Sequence, residues 1–232
     1  KLMHKFQITN NLISFNKYNS FKKIPRLIDD LKEGKSIAIV SDAGLPSICD
    51  PGENLVKAAK SNGLNIICIP GPCAALTALV SSGFPSSKFT FQGFLPKKRK
   101  DREKVLKEIS ECEKTSVIYE SPHRLKKLLI ELKEYCGKER EIVIFRELTK
   151  KFEEHIGTNA EMILNFFDRK EVLGEITVVI DGIQNDKFLE FDKFELRKEL
   201  NDLVNAGLSL SSASKYLAKK NGLTKNIVYS LY

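Results

Sequence analysis

The chain has 232 residues, 42% of them hydrophobic, enough for one large α/β domain or two smaller ones and too apolar for global disorder. Its 38 basic and 30 acidic residues leave a charge of +8, which favours a polyanionic partner without naming one; a solvated lysine-rich surface is the plain alternative. The five cysteines form no Cys-x-x-Cys pair, which argues against a disulfide framework or a zinc site and suits a reducing cytosol.

No apolar run reaches the length of a membrane span, and no secretory signal is visible. The chain opens at Lys1 with its first methionine at Met3, so a fragment or a processed chain is expected.

The spacing of Ile24, Leu27, Ile28 and Leu31 predicts a helix, with Pro25 in its first turn and Gly34 as its stop. Ser36 to Val40 reads as a buried strand. Asp50-Pro51-Gly52-Glu53 reads as a capped helix start, with Asp50 as cap, and that helix runs to about Ser61. Asn65 to Ile69 is the next strand, Pro70-Gly71-Pro72 a tight turn, and Cys73 to Ser82 a small-residue helix ended by Gly83. Strand, helix, strand and helix joined by short turns describe parallel βαβ units. Ligands bind at the carboxyl ends of such strands, where turns 41–46 and 70–72 would lie.

Pro85 and Ser86-Ser87 mark a domain boundary. Strands are expected at Phe89–Phe94, Val117–Glu120, Glu141–Phe145 and Glu175–Ile180. Helices are expected at Lys97–Glu113, Pro122–Tyr135 and Asn159–Phe167, giving a second α/β unit with a mixed sheet. From about Asp186 the pattern changes to short helices, one over 212–220 and a last one capped by Thr224, in a helix-turn-helix-like spacing. The expected organisation is therefore a parallel-sheet domain over 1–87, a mixed-sheet domain over 88–185 and a helical extension over 186–232.

Some familiar signals fail. Gly34-Lys35-Ser36 imitates the end of a P-loop, but position 29 is Asp29 and the triplet precedes a strand. No G-x-G-x-x-G or Gly-x-Ser-x-Gly occurs. The informative stretches are Ser41-Asp42-Ala43-Gly44-Leu45-Pro46 and Ile69-Pro70-Gly71-Pro72-Cys73-Ala74-Ala75, whose small residues let a ligand approach the backbone. Ordinary turn chemistry is the alternative for each. Neither turn offers a metal-ligand cluster.

With Ser82-Gly83-Phe84-Pro85, Phe91 to Pro96, Tyr119 to Arg124, Arg146 to Lys151 and Gly174-Glu175, these stretches follow one another over residues 20–182 in a specific order. In that order the chain resembles the tetrapyrrole methylase superfamily, and within it the ribosomal small subunit methyltransferase I group, the 16S rRNA (cytidine-2′-O)-methyltransferases. Members begin with a strand and a glycine-rich loop that this sequence lacks; the resemblance implies that this segment helps build the first sheet and the cleft.

The resemblance implies two α/β domains with S-adenosylmethionine held between them and no metal. It assigns the cofactor to Asp42, Ala43, Gly44, Pro46 and Ile48, to Cys73 and Ala74, and to Tyr119 and Ile176; Pro46, Ile48 and Ile176 could instead be core. Methyl transfer to a weakly nucleophilic ribose hydroxyl gains from alignment and from a general base. Glu120, at a strand end, is the candidate; it could equally orient Arg124, and Glu147 could pair with Arg146. The RNA candidates are Lys97, Lys98, Arg99, Lys100, Arg124, Arg146, Lys150 and Lys151, since phosphate contacts need cations; a solvated helix face is the alternative for the 97–104 run. The implied partner is 16S rRNA in the small subunit and the implied state a cytoplasmic homodimer. The competing readings are a tetrapyrrole methyltransferase of the same superfamily and a non-enzymatic nucleic-acid-binding protein.

Overall fold

The computed structural model of the chain describes residues 2–168, 170–183, 193–221, 223 and 225–232. It divides into two compact units, Lys1–Gly182 and Ile183–Tyr232. The expected boundary at 87/88 is not a break in packing. Ala75, Ala78 and Leu79 on its N-terminal side share a core with Val117, Phe145 and Val179 on the other.

A single turn, α1 (Leu2–Lys5), precedes α2 (Ser20–Lys32). Helix α2 starts before the position that Pro25 suggested, and the proline sits inside it. The start is set by Asn16 and Asn19, whose side chains each accept the other's backbone N–H, at 3.1 and 2.8 Å. The carbonyl left without its donor by Pro25 belongs to the exposed Phe21, where water can serve it. Helix α3 (Glu53–Ser61) begins at Gly52 with no side-chain cap, so Asp50 does not cap it. Leu27 and Ile28 of α2 pack on Leu55 and Ala59 of α3.

The expected strands at 36–40 and 65–69 form no ladder, so the parallel sheet of the first domain is absent among the described residues. β-Branched residues supply propensity but not a partner, and an unpaired strand has no stability of its own. Ile39 packs against the α2–α3 pair, whereas Val40, Ile67 and Ile69 are each 75% exposed.

The sheet that does form has five strands in the order β1-β2-β5-β3-β4. These are β1 (Phe89–Phe94), β2 (Thr115–Glu120), β3 (Glu141–Arg146), β4 (Glu154–Asn159) and β5 (Ile176–Ile180). β1 and β2 are parallel and every other pairing is antiparallel, so the expected mixed sheet is present. β5 is central, and all five of its residues are buried. β4 escaped sequence reading because Glu-His-Ile-Gly-Thr-Asn has one buried residue and lies at an edge.

One face of the sheet carries α5 (Arg99–Ser110), α6 (Pro122–Cys136) and α7 (Ala160–Phe166). Leu106, Leu125, Leu129, Leu132 and Ile163 meet Ile118, Ile144 and Val178 there. Each such side chain contributes about 1.5–3 kcal/mol on burial. The Asn159 side chain caps α7 by accepting the Met162 N–H at 3.0 Å. The other face carries α4 (Ala74–Ser82), which ends as expected on a left-handed Gly83.

The second unit contains α8 (Lys193–Asn205), α9 (Leu210–Asn221) and α10 (Lys225–Tyr229) around Leu200, Ala213, Leu217 and Val228. Helices were expected here, although the proposed cap at Thr224 lies outside the described residues. No described helix is long and apolar enough to cross a membrane.

Candidate functional site

The two small-residue turns meet. A Cβ placed on Gly44 would lie 3.6 Å from the Pro72 carbonyl oxygen, and one on Gly71 would lie 3.9 Å from Leu45 Cδ1. The Ser41 hydroxyl closes the first turn, with the Gly44 and Ala43 carbonyl oxygens at 2.8 and 3.2 Å. Just beyond, Ser47 and Cys49 hold φ values of 70° and 61°, a conformation that costs non-glycine residues about 1–2 kcal/mol each. Such strain collects at ligand sites. Asp42, Ala43, Gly44 and Ile48 are exposed, while Pro46, Cys73 and Ala74 are half-buried.

Tyr119 joins the turns to the sheet. Its hydroxyl accepts the Ala75 backbone N–H at 3.0 Å, at the start of α4. Its ring packs edge-on against Phe91, centroids 5.0 Å apart, with Phe94 at 5.8 Å. Burial pushes its phenol up to about 12, against the lowering effect of the Ala75 hydrogen bond, so it is neutral at physiological pH. Cys49, which sequence reading passed over, belongs here too. A Cβ on Gly93 would come within 2.9 Å of its sulfur, and burial pushes its thiol up.

Ile176 requires a correction. Its side chain is 3% exposed and packs in the helix-side core with Ile118, Val178 and Ile180. Thr177, not Ile176, is the cross-strand partner of Tyr119 and shares its face. The alternation of β5 carries that signal: 176, 178 and 180 form one face, 177 and 179 the other.

Glu120 also requires a correction. Alternation turns it away from Tyr119, and its side chain is 0% exposed. It lies between Arg102 Nη1 at 3.6 Å and Arg124 Nε at 3.3 Å, and its Oε1 accepts the Ser121 N–H at 2.8 Å. A carboxylate enclosed in this way cannot reach a substrate hydroxyl. It orients Arg124, which donates to the Leu95 carbonyl at 2.8 Å and so ties the end of α6's first turn to the residue after β1. Arg102 in turn reaches Glu131, with Nε and Nη2 at 2.8 and 2.7 Å from Oε2.

The expected RNA cations divide in two. Arg124 is engaged as above, Arg146 pairs with Glu154 at 2.8 Å, and Lys150 lies between Glu147 at 2.9 Å and Glu175 at 3.1 Å. Arg146 therefore does not pair with Glu147. Arg99 is held by Glu103 at 2.6 Å. Lys97, Lys98, Lys100 and Lys151 have no ion pair among the described residues, and all are exposed. These four follow the carboxyl ends of β1 and β3, the same sheet edge that presents Tyr119. Arg146, Glu147, Gly174 and Glu175 form one structural knot: Glu147 Oε1 accepts the Glu175 N–H at 2.8 Å and the Lys150 ammonium at 2.9 Å.

The sequence profile of the family Tetrapyrrole (Corrin/Porphyrin) Methylases matches residues 15–163. Ribosomal RNA small subunit methyltransferase I of Synechocystis sp. is 37% identical over 231 residues, which cover 100% of this chain and 83% of that protein. The protein of the same name from Thermotoga maritima is 44% identical over 181 residues, covering 78% of this chain and 81% of that one. A solved structure of the methyltransferase CobJ superposes with a TM-score of 0.54 at 20% identity, over 75% of this chain and 74% of that one, a likeness of fold alone. The chain belongs to the tetrapyrrole methylase family, in its ribosomal RNA small subunit methyltransferase I group.

Proposed function

We propose that this methyltransferase moves a methyl group from S-adenosylmethionine to the 2′-hydroxyl of a cytidine in 16S ribosomal RNA. The observation that carries the reading is the meeting of two small-residue turns beside Tyr119, in a chain similar along its whole length to named small-subunit RNA methyltransferases.

The residues fit the cofactor. Asp42, Ala43 and Gly44 expose backbone and little side-chain bulk, Cys73 and Ala74 present the same on the second turn, and Tyr119 walls the cleft. Larger side chains at 43, 44 or 74 would occupy the space. Bound there, the cofactor supplies a sulfonium-activated methyl, so that the protein's task is alignment, which can contribute several orders of magnitude. Neutral Tyr119 fixes the start of α4 and with it the second turn. The pair Glu120–Arg124 fixes Leu95 and the turn into α5. Lys97, Lys98, Lys100 and Lys151 meet phosphates and set the RNA's register. We also read the enzyme as a cytoplasmic homodimer. Its described cysteines are free thiols, and Leu76 and Val80 stand exposed on α4; sedimentation at twice the chain mass is the expected result, and sedimentation at one chain mass would contradict the dimer.

The test uses small ribosomal subunits lacking the modification, with labelled cofactor. The protein is supplied as this chain and as one extended by a relative's N-terminal strand and glycine-rich loop. Alkali cleaves RNA through the 2′-hydroxyl, so the label is expected in an alkali-resistant dinucleotide that begins with cytidine. Label on a mononucleotide, or no transfer by the extended chain to subunits or naked RNA, overturns the reading.

A further inference from the structure

Helix α9 buries one face, through Ala213, Ser214, Leu217 and Ala218, against its neighbours in the second unit. The opposite face is fixed by that burial. It carries Ser212, Lys215, Tyr216 and Lys219, which at spacings of three and four form one exposed stripe. Tyr216 is 56% exposed between the two lysines.

The charge along the sequence that carries this stripe is one-signed. From Leu203 to Tyr232 the sequence has four lysines, Lys215, Lys219, Lys220 and Lys225, and no aspartate or glutamate. Lys220 is answered by Glu199 of α8, and Lys225 donates to the Ser211 hydroxyl at 2.7 Å. Lys215 and Lys219 have no ion pair among the described residues. Ordinary solvated helix faces interleave both signs, as α5 does with Arg99–Glu103 and Lys104–Glu108. Two unneutralised ammonium groups one turn apart, flanking an exposed ring, match a strand that alternates phosphates with stackable bases. An apolar protein partner has little to bind, because Tyr216 is the stripe's single large hydrophobic side chain.

We propose that the outer face of α9 is a second RNA-binding surface, which takes two phosphates of an unpaired rRNA segment on Lys215 and Lys219 and stacks a base on Tyr216. This deepens the RNA reading above and rests on it. The surface reads no sequence; it adds affinity for the rRNA beyond the cation set that follows β1 and β3.

The test measures binding of naked 16S rRNA across a salt series, using the full chain, the double variant Lys215→Gln/Lys219→Gln, Tyr216→Ala and Tyr216→Phe. Losing two phosphate contacts is expected to weaken binding about tenfold or more at low salt, and to reduce the slope of log affinity against log salt by about 1.4–1.8. Tyr216→Ala is expected to weaken binding about tenfold with the slope unchanged, while Tyr216→Phe keeps the ring and the affinity. Thermal midpoints and cofactor affinity are expected to stay at their parent values, which separates lost contacts from lost fold. Parent and variants binding alike would overturn this inference and leave the RNA reading standing. No binding by any of them, the parent included, would overturn both. Displacement of the RNA by duplex DNA at equal concentration would overturn the assignment to unpaired RNA.

Discussion

Arg102 and Glu120 are the most consequential buried charges of the first unit, at 5% and 2% exposure. At an effective dielectric of about 20, each of Glu120's contacts at 3.3 and 3.6 Å has a gross attraction of about 5 kcal/mol. Desolvation offsets much of this, so the net worth of the cluster is small, but removing one partner strands the others at about 3–5 kcal/mol. The structure ranks the two removals. Glu120→Gln leaves Arg102 its contacts with Glu131 and belongs at or just below the lower limit, about 2–3 kcal/mol. Arg102→Met takes from Glu120 and Glu131 the cation they share, leaves the buried Glu120 with Arg124 as its ion-pair partner, and belongs at the upper limit, about 5 kcal/mol. At about 2–4 °C per kcal/mol for a unit of this size, the midpoints fall by about 4–12 °C and 10–20 °C. Calorimetric or urea unfolding reads both. A Glu120→Gln change within about 0.5 kcal/mol of the parent, or the reverse ranking, would refute the reasoning. The pH profile of methyl transfer supplies the functional half. A positioning Glu120 leaves the acid limb of the Gln variant unmoved at a lower rate, whereas a general base would take the acid limb with it.

Gly174 has φ 88°, and a Cβ there would meet Glu147 Cγ at 2.5 Å, so Gly174→Ala is expected to destabilise by about 2 kcal/mol or more in urea unfolding. Tyr119→Phe removes the acceptor of the buried Ala75 N–H and is expected to lower stability by about 1–3 kcal/mol and weaken cofactor binding; an unchanged midpoint would contradict the role given to the hydroxyl. Glu147 is held below the usual carboxylate range, first by the Glu175 N–H and then by Lys150. Its contribution is therefore complete above that range and is lost as pH falls beneath it. Lys150 is held above the usual lysine range, first by Glu147, so its contribution is present below that range and is lost only at higher pH. Stability titrations of Glu147→Gln are expected to show a flatter acid limb than the parent.

The legible parts of the fold were those that local pattern decides. α4, α6 and β5 are marked by Gly83, by Pro122 with Gly137, and by an unbroken apolar run. Pairing was less legible. Residues 36–40 and 65–69 have strand composition but no ladder, and β4 has a ladder without strand composition, because a partner strand is a non-local fact. The site followed the same division. The turns at 41–46 and 70–72 are local, and they do come together. Which cations are free is only partly local: Arg124–Glu120 and Lys150–Glu147 lie within one helical turn in sequence, but Lys150–Glu175 and the Arg124 bond to the Leu95 carbonyl join distant segments, and together with Arg146–Glu154 they removed Arg124, Arg146 and Lys150 from the free cations. Ile176 took the core alternative that its composition leaves open, because strand alternation turns it to the helix side of the sheet.

The assignment of the cleft is tested most directly by titrating S-adenosylmethionine into the parent chain and into Ala43→Leu, each extended by a relative's N-terminal strand. Ala43 is exposed, so the thermal midpoint is expected to move by less than about 2 °C. The binding heat of the variant is expected to vanish while that of the parent saturates at one cofactor per chain. Equal affinities in the two proteins would contradict the placement of the cofactor against that turn.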